Sequence, residues 1–228
     1  MMKRFAIPIR ALAAAGSLLL MTAQVQAQQP TKSEHAHAHD HAHGHSHDQV
    51  SQDIRRGIFE DAQIKDRALS DWEGDWQSVY PYLQDGTLDP VMEQKAAKGS
   101  KTADEYRAEY ESGYRTDVDR IIIDGASVTF HRGDQAVTGR YEDDGYEILT
   151  YAAGNRGVRY VFAKTSGDDA APDFIQFSDH GIFPEDAGHY HLYWGDDRAA
   201  LLEEVTNWPT YYPSSLNGDQ IAHEMLAH

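Results

Sequence analysis

The 228-residue chain contains no cysteine. That excludes disulfide staples, so the fold must be stable from its core, and it excludes thiolate ligands. Any metal site must be built from imidazole and carboxylate. Positive charge is also scarce, with 20 Lys and Arg against 37 Asp and Glu and a formal charge of −17. Such a surface repels nucleic acid and anionic lipid and draws in cations. Long apolar runs are missing as well, apart from Ala11–Met21, which is too short to span a bilayer comfortably.

That one run lies behind Lys3, Arg4 and Arg10 and is followed by the small-residue step Val25-Gln26-Ala27. This is the pattern of a cleavable secretory signal peptide over residues 1–27, cut after Ala27. No cysteine follows the cut, so no lipid anchor and no other membrane anchor is expected. Cleavage removes three basic residues and no acids, taking the formal charge from −17 to −20. The remaining chain of about 200 residues suits one domain and a tail.

Histidine is abundant where the rest is sparse. Residues 28–50 carry His35, His37, His39, His41, His43, His45 and His47, spaced by Ala, Gly, Ser and Asp. Nothing in that tract can be buried, so a disordered tail is expected. Its imidazoles should bind zinc, nickel or copper loosely and exchange them quickly.

Residues 51–228 read as one domain. Leu69–Leu83 contains Gly74-Asp75-Trp76, an opening of the kind found in lipocalin-type first strands, with Trp72 and Trp76 as core plugs. Leu88–Lys98 has helical composition, and Thr102-Ala103-Asp104-Glu105 is a capping box for a second helix. Tyr106, Tyr110 and Tyr114 give that helix one aromatic face. From Arg120 onward, short strands alternate with turn residues: 120–123, 127–131, 135–141, 146–151 and 158–163. With the strand at Trp76 and two more below, they predict a mainly β, antiparallel eight-stranded barrel with added α-helices in the N-terminal half and at the C-terminus. The segment Asn207–Pro213 is too proline-rich for a central strand, and helices are expected over 199–205 and 219–228.

The chemistry concentrates between Phe174 and Trp194. FIQFSDH reads as a strand ending at His180, and HYHLYW as a strand carrying His189 and His191. Residues two apart on a strand share a face, and cross-strand neighbours lie about 5 Å apart at Cβ. Three histidines converging on one wall make an open tetrahedral zinc site with one position left for water or another ligand. Placed on the inner wall, they put the metal at the barrel mouth. Asp179 and Glu185 are candidates to orient imidazole N–H groups. His131 and His223 are read as bystanders.

Taken together, LSDWEGDWQSVYPYL, DGYEILTY, GVRYVF, FIQFSDH, HYH and NWPTYYP resemble the ZinT (YodA) family over essentially all of residues 51–228. The resemblance implies a calycin-like, lipocalin-like barrel with zinc held by residues matching His180, His189 and His191. It implies water, an anion or a tail side chain as fourth ligand, and binding of cadmium as well as zinc. It implies a periplasmic, non-enzymatic role in zinc recruitment under starvation, with transfer to ZnuA, the solute-binding protein of the ZnuABC importer. Some relatives carry cysteines at the positions of Gly139 and near Lys164; this chain has neither. Two alternatives stand beside this reading: a three-His zinc hydrolase or hydratase, and a lipocalin-like barrel for an apolar small molecule.

Overall fold

The computed structural model describes residues 42–152, 154–203 and 206–227, so the signal-peptide region and His35, His37, His39 and His41 lie outside the described residues. Eight strands form a closed barrel: β1 (Gly74–Ser78), β2 (Arg120–Asp124), β3 (Ser127–Arg132), β4 (Gln135–Thr150), β5 (Arg156–Gly167), β6 (Phe174–Ser178), β7 (Tyr190–Gly195) and β8 (Thr210–Pro213). Each is antiparallel to the next, and β8 returns to β1 through pairs such as Gln77 with Tyr212. Closure leaves no free edge for another chain to pair with.

The strand count matches expectation, but two assignments change. Segments 135–141 and 146–151 are one strand, not two. The Asp143-Asp144-Gly145 turn signal is absorbed as a β-bulge, with Gly145 at φ 82° and its N–H donating to Asp143 Oδ1 at 3.1 Å. The eighth strand is instead Thr210–Pro213, which the prolines seemed to forbid. Pro209 precedes the strand and Pro213 ends it, so the ladder N–H groups between them are intact. Of the expected helix at 199–205, the described residues 199–203 form a single 3-10 turn, Ala200–Leu202.

The barrel interior is filled by side chains. Trp72 and Phe177, both fully buried, stack at 4.6 Å, and Phe162 meets Trp72 edge-on at 5.9 Å. Trp76 packs against Tyr190 at 4.7 Å. Each such ring contributes roughly 1.5–3 kcal/mol by burial. This packing takes the space that an apolar ligand would need, so the interior-ligand alternative loses its site.

Outside the barrel lies a helical layer of α2 (Tyr80–Gln84), α3 (Asp89–Lys98), α4 (Ala103–Tyr114) and α5 (Gly218–Ala227). Thr102 caps α4 as expected: its Oγ1 accepts from Glu105 N at 3.2 Å, while its own N–H donates to Glu105 Oε2 at 2.7 Å. Tyr106, Tyr110 and Tyr114 pack into this layer's core with Tyr212, which points outward from β8. Helix α1 (Ala42–Arg55) begins inside the histidine tract, where the sequence alone suggests no structure as far as residue 50. Ile54, 7% exposed, docks one end on the barrel core, and extending a nucleated helix costs little. Positions 139 and 164 lie on β4 and β5, and Lys164 pairs with Asp173 at 2.8 Å. Among the described residues no helix is long and apolar enough to cross a membrane.

Candidate metal centre

His191 lies in β7 between Tyr190 and Leu192, both fully buried in the barrel core. Strand alternation therefore turns His191 outward. Its cross-strand neighbours are Ser178 on β6 and Thr210 on β8. His189 immediately precedes β7, and its ring stacks on outward-facing Tyr212 at 5.0 Å with a 9° interplanar angle. The centre thus stands on the outer wall, between the barrel and the helical layer, and not on the inner wall expected from sequence. Period-two spacing shows that two histidines share a face but cannot say which one.

His180 is also not a strand residue. β6 ends at Ser178, and His180 has φ 65°, among the described residues the only positive φ outside glycine. Histidine tolerates this left-handed region better than most side chains, yet the conformation needs support. Asp179 supplies it. Its Oδ1 accepts from Gly181 N at 3.0 Å, bridging His180 in an Asx turn, and from Arg67 Nη1 at 2.7 Å; its Oδ2 accepts from Trp72 Nε1 at 3.1 Å. Arg67 is fully buried and also donates to Asp71 Oδ2 at 2.8 Å and to Glu185 O at 2.9 Å. Its guanidinium lies 4.1 Å over the Trp72 ring. One buried arginine thus ties the 3-10 turn Leu69–Trp72 before β1 to the start and the middle of the β6–β7 loop. The Asp179 carboxylate is taken up in this clamp, which replaces its expected role toward an imidazole. For Glu185, burial and then Asp179 raise the carboxyl pKa, and it is the backbone oxygen that the clamp uses.

The three rings converge. Their centroids are 6.1 Å apart for His180–His189, 5.6 Å for His180–His191 and 6.2 Å for His189–His191. Zinc–nitrogen bonds of 2.0–2.1 Å in a tetrahedron put imidazole centroids about 5.2 Å apart, so each ring must move inward by about 0.4 Å. As placed, neither these residues nor any other three His, Asp or Glu among the described residues already form a metal cage. The remaining movement is within ordinary side-chain adjustment, and the donor set suits zinc.

Protonation favours binding. Burial, then the charges of His180, His189 and Arg159, hold the His191 pKa well below the usual histidine range, so its ring is neutral near pH 7. His191 Nδ1 lies 2.8 Å from Thr210 Oγ1, and the Thr210 hydroxyl donates its single proton to Trp208 O at 2.9 Å. The hydroxyl oxygen must then accept from Nδ1–H, which leaves the Nε2 lone pair for a metal. Thr210 and Arg67 were not identified from sequence. Neither has a neighbour in the chain that marks it. His131, on β3 opposite Arg120 and Ala136, and His223, exposed on α5, stay apart from the centre.

A lipocalin-like barrel carrying an outward-facing three-histidine cluster defines a class, and residues 50–228 match the family described as ZinT (YodA) periplasmic lipocalin-like zinc-recruitment, to which this chain belongs. Among its relatives is the probable metal-binding protein YrpE of Bacillus subtilis, 60% identical over 182 residues, which cover 79% of this chain and 72% of YrpE. The zinc-binding lipoprotein AdcA of Streptococcus pneumoniae is 49% identical over 177 residues, 77% of this chain. This chain spans about a third, 35%, of AdcA. The crystal structure of the Zn(II)-bound ZinT-like domain of that AdcA superposes with a TM-score of 0.74 at 48% identity, covering 76% of this chain and 97% of that domain.

Proposed function

We propose that this protein captures zinc outside the cytoplasm at His180, His189 and His191 and passes it to a zinc importer. The observation that carries the reading is the convergence of three imidazoles, one of them with its tautomer set for coordination. Membership of a zinc-recruitment family and likeness to a Zn(II)-bound domain support it. Three neutral ligands and one exchangeable position favour transfer: an acceptor's ligand can enter before the others leave. Such a site also takes cadmium, and copper or nickel when zinc is scarce. The acceptor fitting this role is ZnuA of the ZnuABC importer, in the periplasm, after cleavage of residues 1–27. The role in this reading is binding, not turnover.

The tail feeds the site. Ser51, Gln52 and Arg55 of α1 line the same cavity of about 720 Å³ as the three histidines. His47 precedes Ser51 by four residues, a helical rise of about 6 Å. Zinc held loosely on the tract then passes to the tight site. Calorimetry tests this. The triple His→Ala variant of residues 180, 189 and 191 should lose tight one-to-one zinc binding, whereas deletion of residues 28–47 should keep it and lower only the total zinc bound and the loading rate. Unchanged tight binding in the triple variant refutes the proposal.

A further inference from the structure

A second cavity, of about 680 Å³, also borders His180 and His191. Its lining includes Arg55, Arg56, Arg156 and Arg159 and, among the described residues, no acidic one, in a chain with 37 acids against 20 Lys and Arg. Two of these arginines are already engaged. Arg56 pairs with Asp53 at 3.1 Å, and Arg156 pairs with Asp61 and donates to Phe59 O at 2.8 Å. The other two have no ion pair among the described residues. Arg55 is exposed at the end of α1. Arg159 is only 1% exposed; its guanidinium lies 3.3 Å over the Tyr193 ring, its one hydrogen bond is a long 3.4 Å to Leu201 O, and its Nε has no partner.

A buried guanidinium without a counter-ion is costly, and a planar oxyanion is its natural complement. The position of Arg159 relative to the metal centre follows from the sheet. Arg159 precedes Tyr160, which pairs with Phe177, so it lies beside Ser178, and Ser178 pairs with His191. Arg159 and His191 are therefore two strands apart on one outward row, about 10 Å. A divalent ion on three neutral imidazoles would add two further positive charges to this region. A ligand with a carboxylate at each end spans the gap and neutralises both.

We propose that this cavity is a binding site for a small dicarboxylate, held at one end by Arg159 and Arg55 and presenting the other to the metal at His180 and His191. The protein then takes up zinc together with an organic acid, and loss of that acid opens the coordination position for transfer. The metal-facing half rests on the zinc reading; the arginine half does not and can be tested without metal.

Succinate, a weak zinc chelator, is the probe, with inorganic phosphate as comparison. Calorimetry on the metal-free full chain should show one succinate site, weakened about tenfold or more by Arg159→Gln through loss of charge-assisted hydrogen bonds. Arg55→Gln, on an exposed helix end, should weaken it severalfold and decides the matter if the buried variant does not fold. In cobalt-loaded protein, succinate should shift the visible bands, and Arg159→Gln should abolish the shift although the variant still loads cobalt in succinate-free buffer. No succinate binding to metal-free protein, or binding insensitive to both substitutions, overturns the proposal. Phosphate binding as tightly as succinate overturns the dicarboxylate assignment. Failure of wild-type protein to bind cobalt would instead strike the zinc reading and leave the calorimetry to decide this one.

Discussion

Asp179→Ala tests whether the clamp on the β6–β7 loop sets the metal centre. The substitution removes an acceptor for three donors: Arg67 Nη1, Trp72 Nε1 and Gly181 N. Arg67 is left fully buried with Asp71 as its remaining carboxylate. Removing one partner of a buried pair costs about 3–5 kcal/mol, and because Asp71 persists the lower end, about 3 kcal/mol, is expected. Without the bridge to Gly181 N, His180 can leave its φ of 65°. Left-handed backbone costs about 1–2 kcal/mol for a non-glycine residue, and zinc binding must restore it. Zinc affinity should therefore fall about 10–100-fold, the range for losing a residue that positions a ligand. Urea unfolding of the metal-free protein reads the first quantity, and competition with a chromophoric chelator reads the second. Asp179→Asn keeps an acceptor for Gly181 N and should recover most of the zinc affinity but less of the stability. If Asp179→Ala lowers stability while zinc affinity stays within about threefold of wild type, the clamp holds the loop without setting His180, and the argument fails.

Three other outcomes are expected. Thr210→Val keeps the shape but removes the acceptor for His191 Nδ1–H at 2.8 Å, so zinc affinity measured by chelator competition should fall about tenfold or more. Gly181→Ala places a Cβ 2.8 Å from Arg67 Nη1 and 2.5 Å from Glu185 Oε1; the pinned arginine cannot give way, so both unfolding free energy and zinc affinity should drop. Zinc at a hundredfold over its Kd should add about 2.7 kcal/mol to stability and raise Tm by several degrees in a thermal scan; the triple His→Ala variant should show no such shift.

Much was legible in the chain itself because it depends on local spacing and composition. Alternating apolar residues, turn glycines and the Thr102–Glu105 box fix strands and a helix start wherever they occur, and HYHLYW brings two imidazoles to one face by the geometry of a strand. The absence of cysteine confined any ligand set to imidazole and carboxylate. Other features depend on what lies across the sheet. Whether His191 points into the barrel was decided by Tyr190 and Leu192 filling the core, and the turn signal at Gly145 became a bulge because β5 continues on both sides of it. The prolines around 210–212 were compatible with a strand because they fall at its ends. Arg67 and Thr210 act on histidines 113 and 19 residues away, contacts that only the tertiary fold creates. Sequence periodicity carries information along one strand; the direction of a face, the partner of a buried charge and the tautomer of a ring are set by neighbours distant in the chain.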